Sequence, residues 1–344
     1  MQLPFEQFPA LNAIGICRHV FTQRIPGIDV SHGKAEVLNR LDAAHHEIRN
    51  AIRVGDWPVF TAQQIHGKQI AVASLAVLAL MILAVAAGPL VWQIPINDID
   101  FGARLTGPSW AHPFGTDDLG QDLFARMLYG GRISLSVGLS AMAVAVVVGI
   151  IVGSIAGISR GWVDAGLMWL TDLFLSLPAL PVLLLLIYLF RDSLKAVVGP
   201  QLGVFFLIVV VIGGFRWMPV ARLVRAQFLS LREKEFVEAA RALGASKWRQ
   251  VVRHILPNSL GPVIVAGSVD VAAAIILEST LSFLGLGFPP DIPTWGRILF
   301  DAKDYLDIAP HWALFPGAAI FLAVLTINYI GDGLRDTLDP RRVM

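Results

Sequence analysis

Long runs of apolar residues, separated by polar segments, dominate the pattern along this chain. A hydrocarbon core about 30 Å thick is crossed by roughly 20 residues of helix, since each residue adds about 1.5 Å. Six stretches reach or approach that length, and we therefore predict six membrane-spanning helices. Their approximate bounds are 70–92, 133–158, 167–190, 202–220, 260–284 and 312–330.

Two of these spans contain residues that predict their local shape. Pro178 and Pro181 lack backbone N–H groups, and they predict a kink in the third span. In the second span, small residues recur partly at four-residue intervals, which predicts close approach by a neighbouring helix. These small residues are Gly138, Gly149, Gly153 and Gly157.

Composition agrees with a membrane protein. The 344 residues are 55% apolar and only 15% charged, whereas soluble domains carry about 25% charged residues. The net charge of +1 and the high hydrophobicity exclude a disordered chain and argue against nucleic-acid binding. Cys17 is the single cysteine, so neither an intrachain disulfide nor a thiolate zinc cluster is expected. The expected fold class is an all-α membrane protein.

The distribution of Lys and Arg predicts the orientation. If the segment before the first span is cytoplasmic, thirteen basic residues fall in the second and fourth loops and the C-terminal tail, against seven on the opposite face. Cytoplasmic loops carry the excess of positive charge in membrane proteins. We therefore expect a multi-pass protein with both termini in the cytoplasm.

The long loop at residues 233–258 has the pattern of two short amphipathic helices. Gly244 lies between them and predicts a turn with positive φ, while Ser246 can cap the second helix. The expected apolar stripes are Phe236, Ala239, Ala240 and Leu243 in the first helix, and Trp248, Val251, Val252 and Ile255 in the second. On spacing alone, helices lying on the lipid surface are an equally good interpretation.

The identity of six residues in this loop is more specific: Glu238, Ala239, Ala240, Gly244, Leu256 and Pro257. Together they resemble the EAA loop of ATP-binding-cassette (ABC) importer permeases. The resemblance implies that the first loop helix is a coupling helix, which inserts into a cleft on an ATPase subunit. One position departs from the family pattern, because His254 stands where Ile is frequent.

Further motifs occur in the order found in C-type subunits of dipeptide and oligopeptide permeases, which the chain resembles over about residues 68–344. The motifs are His112–Gly120, Leu281–Gly287, Thr294–Gly296, Gly331–Asp336 and Asp339–Arg341. Gln121 departs by replacing the usual Arg. The resemblance implies six helices of the type I importer kind: a first helix and periplasmic segment at 68–130, a permease domain at 131–334 and a cytoplasmic tail at 335–344.

The same resemblance implies the partners: a second homologous permease subunit, two ATP-binding subunits and a periplasmic solute-binding protein, in the bacterial inner membrane. No G-x-x-x-x-G-K-[ST] phosphate loop occurs in the sequence. We therefore expect a non-enzymatic subunit without a cofactor of its own, with ATP and Mg²⁺ on partner chains. The expected cargo is peptides or similar small solutes.

The alternative is a stand-alone secondary transporter, which would use buried ionisable residues as an ion or proton path. Asp172, Asp270 and Glu278 fall within or beside predicted spans and are candidates for such a path. Pairing with a basic residue or a backbone group is the structural alternative for each acid, and we favour it because no intramembrane His or Lys accompanies them.

Residues 1–67 form a polar N-terminal extension unlike the short leader of these permeases. Segments 19–24 and 63–67 resemble the start of the laccase-domain (polyphenol oxidase) family, which implies a zinc ligand at His66. The partner Cys and second His of that family come later in the sequence, where this chain enters its first span. A single ligand cannot form a zinc site. We therefore interpret the segment as a fused fragment or a misplaced gene start, with no metal site and no catalytic role.

Overall fold

The computed structural model describes residues 67–159 and 161–338, together with two short strands nearer the N-terminus. Those strands, β1 (Phe5–Glu6) and β2 (Phe21–Thr22), pair antiparallel within a separate unit at residues 1–64. The predictions for the rest of residues 1–66, including His66, and for the motif at 339–341 lie outside the described residues.

The described part from residue 67 onward is helical. Its helices are α1 (Gly67–Val91), α2 (Leu123–Ile158), α3 (Trp162–Ser176), α4 (Ala179–Val198), α5 (Pro200–Gly214), α6 (Trp217–Leu231), α7 (Glu235–Ala242), α8 (Lys247–Gln250), α9 (Leu256–Phe283), α10 (Trp295–Ala302) and α11 (Pro310–Leu338). A π-helical turn at Val251–Ile255 joins α8 to α9, and single 3₁₀ turns lie at Phe101–Ala103 and Lys303–Tyr305.

Four helical segments are long and apolar enough to cross a membrane by themselves: Gln69–Val91, Leu123–Ile158, Lys247–Phe283 and Pro310–Leu338. Two helix pairs pass the same test only when each pair is taken together, and both are bent, by 88° between α3 and α4 and by 43° between α5 and α6. The described residues thus contain four candidate spans, or six if each bent pair crosses the membrane once, and the second count equals the predicted one.

The third span differs in shape from the predicted kinked helix. Helix α3 ends before Leu177, Pro178 is the N-cap of α4, and the two helices are nearly perpendicular. A proline disfavours helical backbone in the residue before it, so Leu177 adopts extended geometry. Pro181 lies in the first turn of α4, where a backbone N–H has no partner within the helix and its loss costs little. The prolines thus end one helix and begin another.

The glycines of the second span lie against neighbouring helices, as predicted. A Cβ at Gly153 would clash with the carbonyl oxygen of Ala221, and one at Gly157 would lie 2.5 Å from Phe228 Cβ. Gly138 faces α9 in the same way, with a Cβ position 2.6 Å from Ile275. Both α6 and α9 therefore pack closely against α2, because its glycines leave the backbone uncovered by side chains at the contacts.

Candidate functional site

Helix α7 ends in a Schellman motif centred on Gly244. Gly244 has φ +82° and donates its N–H to the Arg241 carbonyl at 3.0 Å, while Ala245 donates to Ala240 at 3.0 Å. Ser246 then caps α8, because its side-chain oxygen accepts from Arg249 N at 3.3 Å. The turn and the cap that the sequence predicted are both present.

Helix α8 continues into the membrane helix α9 without a break in the backbone. Pro257 cannot donate a backbone hydrogen bond, and the π turn lies immediately before it. In that turn the Leu256 N–H donates to the carbonyl five residues back, on Val251. The side-chain amide of Asn258 donates to the His254 carbonyl at 2.6 Å and satisfies that exposed acceptor. Lys247–Phe283 therefore forms one continuous helical segment. A helical period of 3.6 gave no sign of the π turn.

The loop helices bury only three members of the predicted apolar stripes, and they also bury Val237, which the stripes did not include. Val237 and Ala240 of α7 and Val251 and Ile255 near α8 are buried, and all but Ala240 join the core cluster that includes Phe228. Phe236, Ala239 and Leu243 in α7, and Trp248 and Val252 in the second helix, are exposed. Apolar residues occur on two sides of these helices, so periodicity could not tell which side packs inward.

The exposed apolar side chains form what we call the outer loop face: Phe236, Ala239, Leu243, Trp248 and Val252. Leu243 is 88% exposed and Trp248 is 76% exposed. Glu238 is also exposed beside them. Large exposed apolar patches on a folded surface mark sites of association.

Two of the three candidate acids are paired with arginines. Asp270 on α9 accepts a hydrogen bond from Arg216, which lies at the break between α5 and α6. Asp172 on α3 accepts one from Arg222 on α6, and that pair is largely exposed. Arg225 forms a third, bidentate pair with Asp164, with nitrogen–oxygen distances of 2.5 and 2.7 Å.

Sequence reasoning missed these arginines as partners, because it counted Arg216, Arg222 and Arg225 as charges of the cytoplasmic loop. The structure places them on or next to α6, which packs along α2. Their spacing gave one usable signal: positions 222 and 225 are one helical turn apart, so they share a face. The 50 to 61 residues that separate each arginine from its acid gave none.

Glu278 is fully buried among hydroxyl groups of three chain segments. Ser282 and Ser134 donate to its carboxylate at 2.8 and 3.1 Å. The Ser134 hydroxyl also accepts from the backbone N–H of Trp295 at 3.3 Å. This cluster joins α2, α9 and the start of α10, and Glu278 has no exposed surface in the described part of the chain.

This geometry predicts that hydrogen bonding, more than charge, makes Glu278 important for stability. Glu278→Gln keeps an acceptor for the serine hydroxyls and is expected to melt close to the wild type. Glu278→Leu leaves those buried hydroxyls without their acceptor, at a cost of about 1–3 kcal/mol. Thermal melting of purified full-length chains measures both, and equal melting temperatures for the two variants would contradict the assignment.

The segment before α2 is held by buried charges. Asp117 accepts from the N–H groups of Leu119 and Gln121 at 2.9 and 2.8 Å, and it pairs with Arg126 at 3.8 Å. Burial raises the pKa of the Asp117 carboxyl above its ordinary value, although Arg126 acts in the opposite direction. Gln121 accepts a hydrogen bond from the same arginine. An ion pair is therefore present here despite the departure at Gln121.

Among residues 67–159 and 161–338, no group of three or more His, Cys, Asp or Glu side chains is placed to hold a metal ion. The outer loop face, the ion pairs of α6 and the Glu278 cluster are thus the distinctive polar and apolar sites of the described chain.

Comparisons with known proteins place these features in context. Residues 145–344 match the family model for binding-protein-dependent transport system inner membrane components. A putative peptide permease protein of Brucella suis biovar 1 is 42% identical over 273 residues, covering 79% of this chain and 87% of that protein. The oligopeptide transport system permease protein OppC of Escherichia coli is 43% identical with the same coverage.

The dipeptide transport system permease protein DppC of Alkalihalophilus pseudofirmus is 38% identical over 280 residues, covering 81% of this chain and 88% of that protein. Among solved structures, an inward-facing MetNI methionine ABC transporter aligns with a TM-score of 0.49 at 17% identity. That alignment covers 62% of this chain and 95% of the matched chain.

Proposed function

The chain belongs to the family of binding-protein-dependent transport system inner membrane components, and from this premise we propose that it is the permease subunit of an ABC importer for peptides. Relatives that carry peptide, oligopeptide and dipeptide permease names support the choice of cargo. The chain has no phosphate loop of its own, so ATP is hydrolysed by separate subunits.

The outer loop face is the observation that carries this proposal. Its apolar side chains are exposed, whereas Val237, Val251 and Ile255 of the same loop pack in the chain's own core. We assign docking of an ATP-binding subunit to this face, with Glu238, Ala239 and Gly244 on the exposed side and Ala240 anchoring α7 from beneath.

A movement of the outer loop face can be transmitted directly to a membrane helix. Helix α8 and the π turn continue through Leu256 and Pro257 into α9, which carries both Asp270 and Glu278. Because this segment is one continuous helix, displacement at α8 displaces α9 as a unit. Rocking of α9 against α2 would then open the translocation path first to one side of the membrane and then to the other.

The partly exposed Arg216–Asp270 pair is our candidate for the translocation path, together with the exposed Asp172. A charge facing hydrocarbon is costly, so the exposed part of Arg216 faces a second permease subunit or the aqueous path between the two. Pairing of Asp172 and Asp270 with arginines disfavours an ion or proton path, and with it the secondary transporter.

The complete transporter would contain a second homologous permease, two ATP-binding subunits and a periplasmic solute-binding protein. The excess of basic residues in the second and fourth loops and the tail supports cytoplasmic termini and a cytoplasmic outer loop face.

Two surface substitutions test the docking assignment. Leu243→Ser combined with Trp248→Ser removes exposed apolar surface without opening the core, so the chain should fold and insert normally. Recovery of the ATP-binding subunits with the purified permease should fall at least tenfold, an expectation of roughly 1.4 kcal/mol or more of docking free energy.

The matched control is Phe101→Ser combined with Ile308→Ser, since both residues are 71% exposed and lie in loops on the other side. This control should recover the ATP-binding subunits at the wild-type level. Equal recovery by both double variants would remove the outer loop face from the docking surface.

A further inference from the structure

A separate cavity of about 740 Å³ lies on the inner side of the loop, between the ends of α2 and α6 and the helices α7 and α8. Its apolar lining includes Ile158, Phe228 and Val251. Helix α2 ends at Ile158, so the cavity lies where the ends of the membrane helices meet the loop.

Three cations line this cavity, from three different elements: Arg232 after α6, Arg241 on α7 and Lys247 on α8. Arg232 is partly neutralised, because it pairs with Glu233 at 3.0 Å and donates to the Gly157 carbonyl at 3.1 Å. The side chains of Arg241 and Lys247 make no hydrogen bond or ion pair with another described residue. No Asp or Glu is among the lining residues.

We infer that this cavity binds a phosphate group, with the headgroup of an anionic lipid as its source. Two cations without an acidic partner and a third beside them give the cavity a positive charge, which attracts the negative charge of a phosphodiester. Basic pockets between helices on the cytoplasmic side are suited to anionic headgroups, and the apolar lining can receive the start of an acyl chain. The inference rests on the proposed function for the cytoplasmic side of the loop.

A phosphate in this cavity would connect the two arms of the Gly244 turn. Arg241 lies before the turn and Lys247 after it, so one anion between them holds α7 and α8 at a fixed angle, anchored to the end of α6 through Arg232. The outer loop face consists of other residues of the same helices, none of which lines the cavity. Anionic lipid would thus set the position of the docking surface without contacting the ATP-binding subunit.

The test is a titration of the purified full-length chain, without its partners, by native mass spectrometry. Phosphatidylglycerol should bind more tightly than zwitterionic phosphatidylcholine. Arg241→Gln combined with Lys247→Gln should weaken phosphatidylglycerol binding by roughly tenfold or more. The control is Arg249→Gln combined with Arg253→Gln, which removes the same charge from the same loop outside the cavity and should change the affinity less than twofold.

A second arm uses inorganic phosphate as the probe. Binding of inorganic phosphate that is lost in the Arg241/Lys247 variant, without tight phosphatidylglycerol binding, would support the phosphate site and assign it to free phosphate. Absence of binding by either probe would overturn the inference, as would equal weakening in both double variants.

A third comparison separates this site from the docking assignment. If the Arg241/Lys247 variant loses the ATP-binding subunits but keeps phosphatidylglycerol, the cavity is a protein contact and the inference is wrong. If phosphatidylglycerol binds as expected while the wild-type chain recovers no ATP-binding subunit, the proposed function fails and the lipid site stands.

Discussion

Gly244→Val is expected to abolish recovery of the ATP-binding subunits and to stop transport, while the chain still inserts in the membrane. Gly244 has φ +82°, a conformation that costs a residue with Cβ about 1–2 kcal/mol and is least compatible with β-branched side chains. Open space surrounds the position, since no atom lies within 4 Å of the point that a Cβ would occupy. The effect is therefore conformational and not a steric clash with a neighbour.

Two further substitutions at Gly244 should weaken docking of the ATP-binding subunits to smaller degrees. Gly244→Ala should be milder than Gly244→Val, and Gly244→Asn should be mildest because asparagine adopts the left-handed conformation more readily. The measurement is pull-down of the ATP-binding subunits at matched membrane levels, with uptake and transport-linked ATP hydrolysis in parallel. Wild-type recovery by Gly244→Val would mean that the turn does not set the docking geometry.

Gly153→Val is expected to prevent stable folding of the membrane part. Even a Cβ at this position would clash with the Ala221 carbonyl oxygen and lie 2.7 Å from Val224 Cβ, so α2 and α6 would have to separate. The obstructing carbonyl belongs to the backbone and cannot rotate away. Overpacking of this kind costs about 1–3 kcal/mol, and here separation of the helices also disturbs the three ion pairs of α6.

Gly166→Ala is the matched control, since this helical glycine on α3 has no atom within 4 Å of its Cβ position. We expect it to behave like the wild type in thermal melting and in the monodisperse fraction of detergent-solubilised protein. Gly153→Ala should melt lower, and Gly153→Val should yield little folded protein. A Gly153→Ala chain that melts like the wild type would show that α2 and α6 can shift apart at no cost.

Several features could be predicted from sequence because each depends on a short piece of chain. The six predicted spans follow from apolar length, since membrane thickness fixes the length of a span without reference to other helices. The Gly244 turn and the Ser246 cap follow from backbone preferences of single residues. For the loop at 233–258, sequence therefore predicted the two helices and the turn between them, and residue identity suggested the docking role that we propose.

Proline shows where such local reasoning is incomplete. Pro178 and Pro181 predicted a bend, and a bend is present. It is not a kink within one helix, because α3 ends there and α4 begins at an angle of 88° to it. The missing N–H groups are a local property, whereas the choice between a kinked helix and two separate helices depends on what each half packs against.

The inward face of the loop was decided by packing. Phe236 and Val237 are both apolar neighbours, yet only Val237 reaches the core formed with Phe228, because α7 is oriented by the Schellman turn and by its contacts with the π turn. A helical period identifies apolar positions, but it cannot show which of two apolar sides of a helix packs against the core.

Tertiary structure alone decided the polar sites inside the membrane part. Glu278 meets Ser134 across 144 residues of sequence, and Asp270 meets Arg216 across 54. Sequence identified the acids, since a charge within an apolar span is costly and must be satisfied. It could not identify their partners. The local glycine pattern of α2 predicted that some helix packs closely there, but a hydrogen bond between helices depends on which helices these are and on how they lie against one another. Only the tertiary packing of α2, α6 and α9 decides that.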